Sequence, residues 1–505
     1  MGHLGRWPVL ALICILAVAC SKSPDATTGT GQTGGDETIA GPPFAVGSST
    51  FFIHDESRAY DTVAGINDGI RSLITEVWYP VDHAVASAGK LRRATYGDYV
   101  FGNRQVHRLM MTETTFFHLT PDTVREGVTE DEIDAAIEEL FLRERQSWAD
   151  APLATGTSAL PVVVMSHGDA GSRYNMETVC EYLASHGYFV IAPEHTGNSP
   201  YSMTGSDPAL AKSGGDPQFR AAMADVLPLL SEHGTYGSRE TFGQTYAPLS
   251  EAEDPVGSLQ QLDRALLQRL NDLRATLDKL DEMNADGRFS GRLALERIGL
   301  IGRSFGGATT LLGLAMEPRF TAGFAVVPVA FPDSRSQLPP EALMPAGQES
   351  VLLAAQGETA FTRLSKPTFL LSGAEDALII GVGQQQAAMS GTEIPSEKNP
   401  HPALRALFEQ SDQDVFWGLL ANSNHSTFGV SGGYWWPNLK PHTARRALSP
   451  EVEFDLVEVR LAHRMQQQKA LAFFDLTIRQ DPAARESILD DSFAGQGLVV
   501  ESGSP

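Results

Sequence analysis

Apolar runs that read as strands alternate with helical patterns along most of this chain. That alternation restricts it to a mainly parallel sheet covered on both faces. The run "LPVVVMSHG" at 160–168 is apolar without a break until its end, as a strand between two helical layers must be. "YNMETVCEYLASH" at 174–186 predicts a helix closed by Gly187, and "YFVIAPEH" the next strand. Leu259, Leu262, Leu266, Leu270, Leu273, Leu277 and Leu280 recur at spacings of three and four, one apolar stripe on a long helix over 258–284. Further strands are expected at "STFFIHD", "RSLITEVWYP", "RIGLIG", "FTAGFAVVPV", "KPTFLLSGAED" and "VFWGLLANSNH", and a last helix ends in "ALAFFDLTI". No repeat of solenoid or propeller length is present.

The chain has 505 residues, 42% of them hydrophobic, enough for a large core. A net charge of −24 argues against nucleic-acid binding, which needs a basic face. Residues 1–19 read as a signal peptide: Arg6 precedes an apolar run too short to span a bilayer, and Ala17 and Ala19 lead into Cys20. The pattern resembles a bacterial lipoprotein signal, which implies lipidation of Cys20. With Ser21 next, it also implies an exported protein held at the outer membrane, facing the periplasm or the cell surface. Residues 20–43, rich in Gly, Thr and Pro, read as a flexible tether. With Cys14 in the signal and Cys20 lipidated, Cys180 stands alone and is expected as a small buried hydrophobe.

The remaining chain, 44–480, reads as one domain with insertions at about 103–150, 200–255, 333–365 and 380–412. The first carries a helix over Asp131–Ser147, opened by the capping box Thr129-x-x-Glu132. Residues 481–505 are expected to be a weakly ordered tail.

Two G-x-S-x-G matches occur, at Gly302–Gly306 and Gly429–Gly433. A nucleophile elbow needs a buried strand, a sharp turn that ejects the serine, and a helix whose first amides face the site. Ser304 lies between the strand "RIGLI" and the helix "ATTLLGLAM". Ser431 follows the polar "NHSTF" and is soon followed by Pro437, so Ser304 is the expected nucleophile. A serine needs a base and a carboxylate that orients the base, in the order Ser, Asp or Glu, His where such an elbow is used. Of His401, His425, His442 and His463, only His425 closely follows an apolar strand, and it is the expected base. Asp376, at the end of "TFLLSGAED", is the first choice for the carboxylate, with Asp333 and Glu375 as alternatives. Backbone amides of Phe305 and Asp169 are the expected oxyanion donors. Glu194 and His195 are adjacent, but the chain has no H-E-x-x-H or paired Cys/His spacing, so neither metal nor cofactor is expected.

"EVWYP", "VVVMSHGDAGSRYNMETVCEYLASHGYFVIAPEHTGN" and "GRLALERIGLIGRSFGGATT" resemble the type II (plasma-type) platelet-activating-factor acetylhydrolases and their bacterial relatives, grouped with dienelactone-hydrolase-like α/β-hydrolases. The resemblance covers most of 70–200 and 260–330, then 366–380 and 415–480. It implies an α/β-hydrolase fold and a metal-independent serine esterase acting on short-chain or oxidised sn-2 acyl phospholipids. Two departures stand out. Arg303 replaces the usual histidine before the nucleophile, and Val327 stands where the plasma-type carboxylate would be. A carboxylate at Asp376 resembles cutinase-like and dienelactone-type hydrolases, which leaves small soluble esters, lactones or polyesters as the second substrate reading. A noncatalytic surface binding protein on the same scaffold is the alternative of another class.

Overall fold

The computed structural model describes residues 42–63, 67, 69–100, 104–117, 124–156, 158–203, 255–330, 364–411 and 413–503. The signal peptide, Cys20, nearly all of the tether, residues 204–254 and 333–363 of two expected insertions, and the alternative carboxylate Asp333 lie outside these residues.

In chain order the strands are β1 Ala45–Asp55, β2 Arg71–Val81, β3 Arg93–Thr95, β4 Glu144–Ala149, β5 Leu160–Ser166, β6 Phe189–Pro193, β7 Leu293–Arg303, β8 Phe320–Val326, β9 Thr368–Gly373, β10 Val415–Leu420, β11 Thr443–Arg445, β12 Glu453–Asp455 and β13 Leu498–Ser502. Among the described residues, eleven of them form one sheet in the order β13-β10-β9-β8-β7-β5-β6-β2-β1-β4-β3, and β11 pairs with β12 apart from it. From β10 to β6 every neighbouring pair is parallel, and β13 and β2 close that block with antiparallel pairings.

Among the described residues the helices longer than a single turn are α1 Arg104–Thr112, α2 Glu130–Leu142, α3 Glu177–Ser185, α4 Pro255–Ala285, α5 Phe305–Met316, α6 Ala377–Ser390, α7 Pro402–Glu409, α8 Val459–Thr477 and α9 Ala484–Leu489. Successive strand residues point to opposite faces, so one strand feeds two cores. Val163 and Met165 of β5 join Val179, Leu183, Phe473 and Phe474 on the α3/α8 face. Val162 and Val164 join Leu273, Leu277 and Leu280 of α4 on the other. The leucine stripe is therefore the sheet-facing side of α4, with Leu266, Leu270, Leu273 and Leu280 fully buried. Cys180 is buried on α3 and unbridged.

Three expectations are corrected. The helix opened by Thr129 has the capping box, with Glu132 N donating to Thr129 Oγ1 and Thr129 N to Glu132 Oε2, but it ends at Leu142. The chain then runs as β4 alongside β1, so the segment 103–150 contributes to the main sheet. Residues 481–505 are not a weakly ordered tail: α9 packs on α8, and β13 extends the sheet against β10, burying Leu498 and exposing Val499. An edge strand of five residues with one buried face needs little apolar sequence, and so leaves little signal. The segment 380–412 is the helical crossover from β9 to β10, holding most of α6 and all of α7.

Candidate active site

Ser304 sits on the tight turn from β7 into α5 with φ 58° and ψ −120°, a conformation that costs a non-glycine residue about 1–3 kcal/mol. The turn is held from both sides. Ser304 N donates to Val326 O at 2.8 Å on β8, and Ala308 N donates to Ser304 O at 3.0 Å as the helix begins. A Cβ on Gly302 would collide with the Gly306 backbone, and one on Gly306 with the carbonyls of Ser166 and His167. Only glycine lets strand and helix cross so closely.

Asp376 and His425 come from the ends of the neighbouring parallel strands β9 and β10. His425 Nδ1 donates to Asp376 Oδ2 at 2.7 Å, which leaves Nε2 as the outward nitrogen of the ring. Asp376 also caps α6, its Oδ1 accepting from Ile379 N at 3.1 Å. Burial pushes the Asp376 carboxyl up, yet the His425 ring and the Ile379 amide outweigh it and hold the group below its ordinary value. His425 opens a short turn, 425–428, pinned by Asn424 Oδ1 accepting from Thr427 N at 3.2 Å. Arg303 reaches across from β7, and its Nη2 donates to the His425 carbonyl at 2.6 Å. Ser304 and His425 are thus linked through Arg303, while no hydrogen bond among the described residues joins Ser304 Oγ to the ring.

The other candidates are engaged elsewhere. Glu375 pairs with Arg446 and accepts from Ala447 N. His401 is buried with Nε2 donating to Gly373 O at 2.7 Å. His463 stacks on Tyr434 and shares a 2.7 Å hydrogen bond with Thr178 Oγ1. Ser431 lies in an irregular turn, where its Oγ accepts from Asn175 Nδ2. Glu194 pairs with Arg173, and His195 lies between Asp272 and Ser166. Among the described residues no cluster of three or more His, Cys, Asp or Glu is placed to hold a metal ion. Val327, at the end of β8, is buried and takes φ 39°.

The loop after β5 faces the elbow, since a Cβ on Gly168 would lie 3.2 Å from Ser304 Cβ. Phe305 is the first residue of α5. The Asp169 carboxylate accepts from Asn198 Nδ2 at 2.7 Å, and burial pushes that carboxyl above its ordinary value. Trp435 and Trp436 are buried: Trp435 packs on Tyr96 and Tyr174 and donates to Glu177 Oε1, and Trp436 packs on Phe116. Both rings belong to the buried cluster that also holds Met110 and Met111 of α1.

The sequence left Arg303 as a bare departure from pattern and did not mark Asn198. Their partners lie 122 and 29 residues away, and only the folded sheet brings them together.

A six-stranded parallel block with a strained serine at the β7–α5 turn and an aspartate-bound histidine at neighbouring strand ends is an α/β-hydrolase fold. A solved structure, the ferulic acid esterase from Streptomyces cinnamoneus, has the same architecture with a TM-score of 0.50 at 18% identity, over 88% of this chain and 93% of that one. Within the fold, the family model "Platelet-activating factor acetylhydrolase, isoform II" matches residues 140–222, which include β5, the loop after it and β6. The chain is 27% identical over 194 residues to the platelet-activating factor acetylhydrolase of Cavia porcellus, 38% of this chain and 40% of that protein. The chain thus matches about two fifths of that relative's length.

Proposed function

We propose that the protein is a serine ester hydrolase in which Ser304, His425 and Asp376 form the catalytic set. The observation that supports this reading is the Asp376–His425 hydrogen bond, together with the hold of Arg303, the residue before the elbow serine, on the His425 carbonyl. Ser304 Oγ attacks the ester carbonyl while His425 Nε2 takes its proton, and Asp376 stabilises the resulting imidazolium and fixes the tautomer. The amides of Phe305 and Asp169 receive the oxyanion. His425 returns the proton to the leaving alcohol, and water then attacks the acyl-enzyme by the same route in reverse. No step needs a metal or an organic cofactor.

For substrate we infer short-chain or oxidised sn-2 acyl phospholipids, supported by the family match over 140–222. A lipid anchor at Cys20 would keep the enzyme beside such a substrate at the outer membrane. Small soluble esters, lactones or polyesters are the second reading, favoured by Val327 at the plasma-type carboxylate position and by Asp376 one strand later. Wild type and Ser304→Ala compared on p-nitrophenyl acetate test the reaction, with a loss of about 10⁴-fold in kcat expected. Equal turnover by the two proteins would point to a noncatalytic binder on this scaffold. An ester panel from acetyl to long-chain phospholipid separates the substrate readings.

A further inference from the structure

We propose that Arg269, on α4 and outside the catalytic set, is a positioning residue that fixes both oxyanion donors. The inference rests on the hydrolase reading above. Arg269 is 1% exposed, and its guanidinium meets the oxyanion loop and the first turn of α5 together. Nη1 donates to His167 O at 2.8 Å and Nη2 to Gly168 O at 3.1 Å, so two consecutive carbonyls after β5 turn toward one planar fork. Nε donates to Asn198 Oδ1 at 2.7 Å, and Asn198 Nδ2 holds the Asp169 carboxylate at 2.7 Å. The guanidinium carbon lies over the Phe305 ring, 4.7 Å from its centroid, and Nη1 reaches Thr309 Oγ1 at 3.2 Å one turn further along α5.

In a trans peptide the C=O and N–H point in opposite directions. Pinning Gly168 O against Arg269 therefore turns Asp169 N–H away from the fork. The same loop presents Gly168 to Ser304. The clamp also accounts for an aspartate in a loop that must receive an anion: its carboxylate is drawn off to Asn198, itself held by Arg269. Ala170, next in the loop, takes φ 47°, a strained value that persists only where surrounding contacts over-determine it. The loop is underpinned on a second side by His167, whose Nδ1 donates to Gly168 O while its Nε2 accepts from His195 N. His195 in turn is held by Asp272, one turn after Arg269 on α4. The two residues of α4 thus anchor a network that ends at the donors.

The test uses the full chain carrying Arg269→Lys, and separately Asn198→Ala, which spares the buried cation. The readouts are kcat and KM on p-nitrophenyl acetate, inhibition by a trifluoromethyl ketone that forms a tetrahedral anion on serine, fluorophosphonate labelling of Ser304, and thermal midpoint. Both variants are expected to fold and to label at Ser304. In Arg269→Lys, kcat falls by about 10²-fold, as for loss of one oxyanion donor, with KM within about twofold. Ketone affinity falls by the same factor as kcat, and Asn198→Ala shows a smaller loss of the same kind. Folded variants that keep wild-type kcat and ketone affinity overturn the inference. So does an Asn198→Ala protein whose kcat loss comes without loss of ketone affinity. If Arg269→Lys fails to fold, Asn198→Ala alone decides by these criteria. A wild-type enzyme that neither labels nor turns over would instead sink the hydrolase reading itself.

Discussion

Arg303 Nη2 holds the carbonyl of His425 at 2.6 Å, so the residue before the elbow serine grips the backbone of the proposed base. Burial brings the Arg303 guanidinium down to about 10, still charged at neutral pH. A hydrogen bond from a charged donor is worth about 1.5–3 kcal/mol. Arg303→Met is therefore expected to lower kcat by about 10–100-fold through a loosened His425 turn, while Ser304 still labels. Steady-state kinetics beside labelling yield checks this, and an unchanged kcat would remove Arg303 from the site.

Asp376 has two duties that substitution separates. Asp376→Asn keeps an oxygen for Ile379 N but loses the charge behind His425. Its kcat should fall by about 10³–10⁴-fold with little change in unfolding midpoint. Asp376→Ala should lose the same activity and, through the missing cap, about a further 1 kcal/mol of stability. Chemical denaturation of the pair measures the difference.

Gly306 in the elbow and Gly381 in α6 predict opposite outcomes. Gly306→Ala drives a Cβ into the carbonyls of Ser166 and His167 and is expected to cost about 3 kcal/mol or more and to abolish activity. Gly381, within α6, has open space where a Cβ would be, so Gly381→Ala should gain about 0.5–1 kcal/mol. Thermal melts of both variants decide it.

Stability should fall on acidification. Burial drops His107 to about 3, His195 to about 4 and His463 to about 3. Free histidine titrates near ~6.5, so below that pH the unfolded chain takes up protons that the folded chain refuses. The stability these groups confer is complete above ~6.5 and is lost as pH falls toward the folded values, at about 1.4 kcal/mol per pH unit for each. Glu177 works the other way: burial raises it to about 8, so its contribution is complete in acid and is lost as pH rises toward that value. His167 and His401 are also held down by burial, and Asp169 and Glu181 are pushed up with Glu177. Among the described residues five histidines thus outweigh three carboxyls, and denaturant midpoints should drop between pH 7 and 5. A flat profile would contradict the buried neutral imidazoles.

What the sequence discloses follows from where each signal lies. The elbow is local: strand, glycine-flanked serine and small-residue helix fall within 20 residues, so Ser304 stands out from Ser431 on context alone. Asp376 and His425 are legible because each directly follows an apolar strand, and parallel neighbours bring their carboxyl ends together. β4 and β13 escape because both are short and carry few apolar residues: β13 lies at one edge of the sheet, and β4 lies one strand in from the other. Arg303 and Arg269 escape for another reason. An arginine in a strand or a leucine-striped helix reads as solvated, and the carbonyls that recruit these two lie about a hundred residues away in sequence.

The most direct measurement is the site of covalent labelling. The full-length protein is treated with a fluorophosphonate, digested, and mapped by mass spectrometry. The account predicts one modified serine, Ser304, with labelling lost in Ser304→Ala and strongly slowed in His425→Ala. Modification at Ser431, or none on folded wild type, would contradict it.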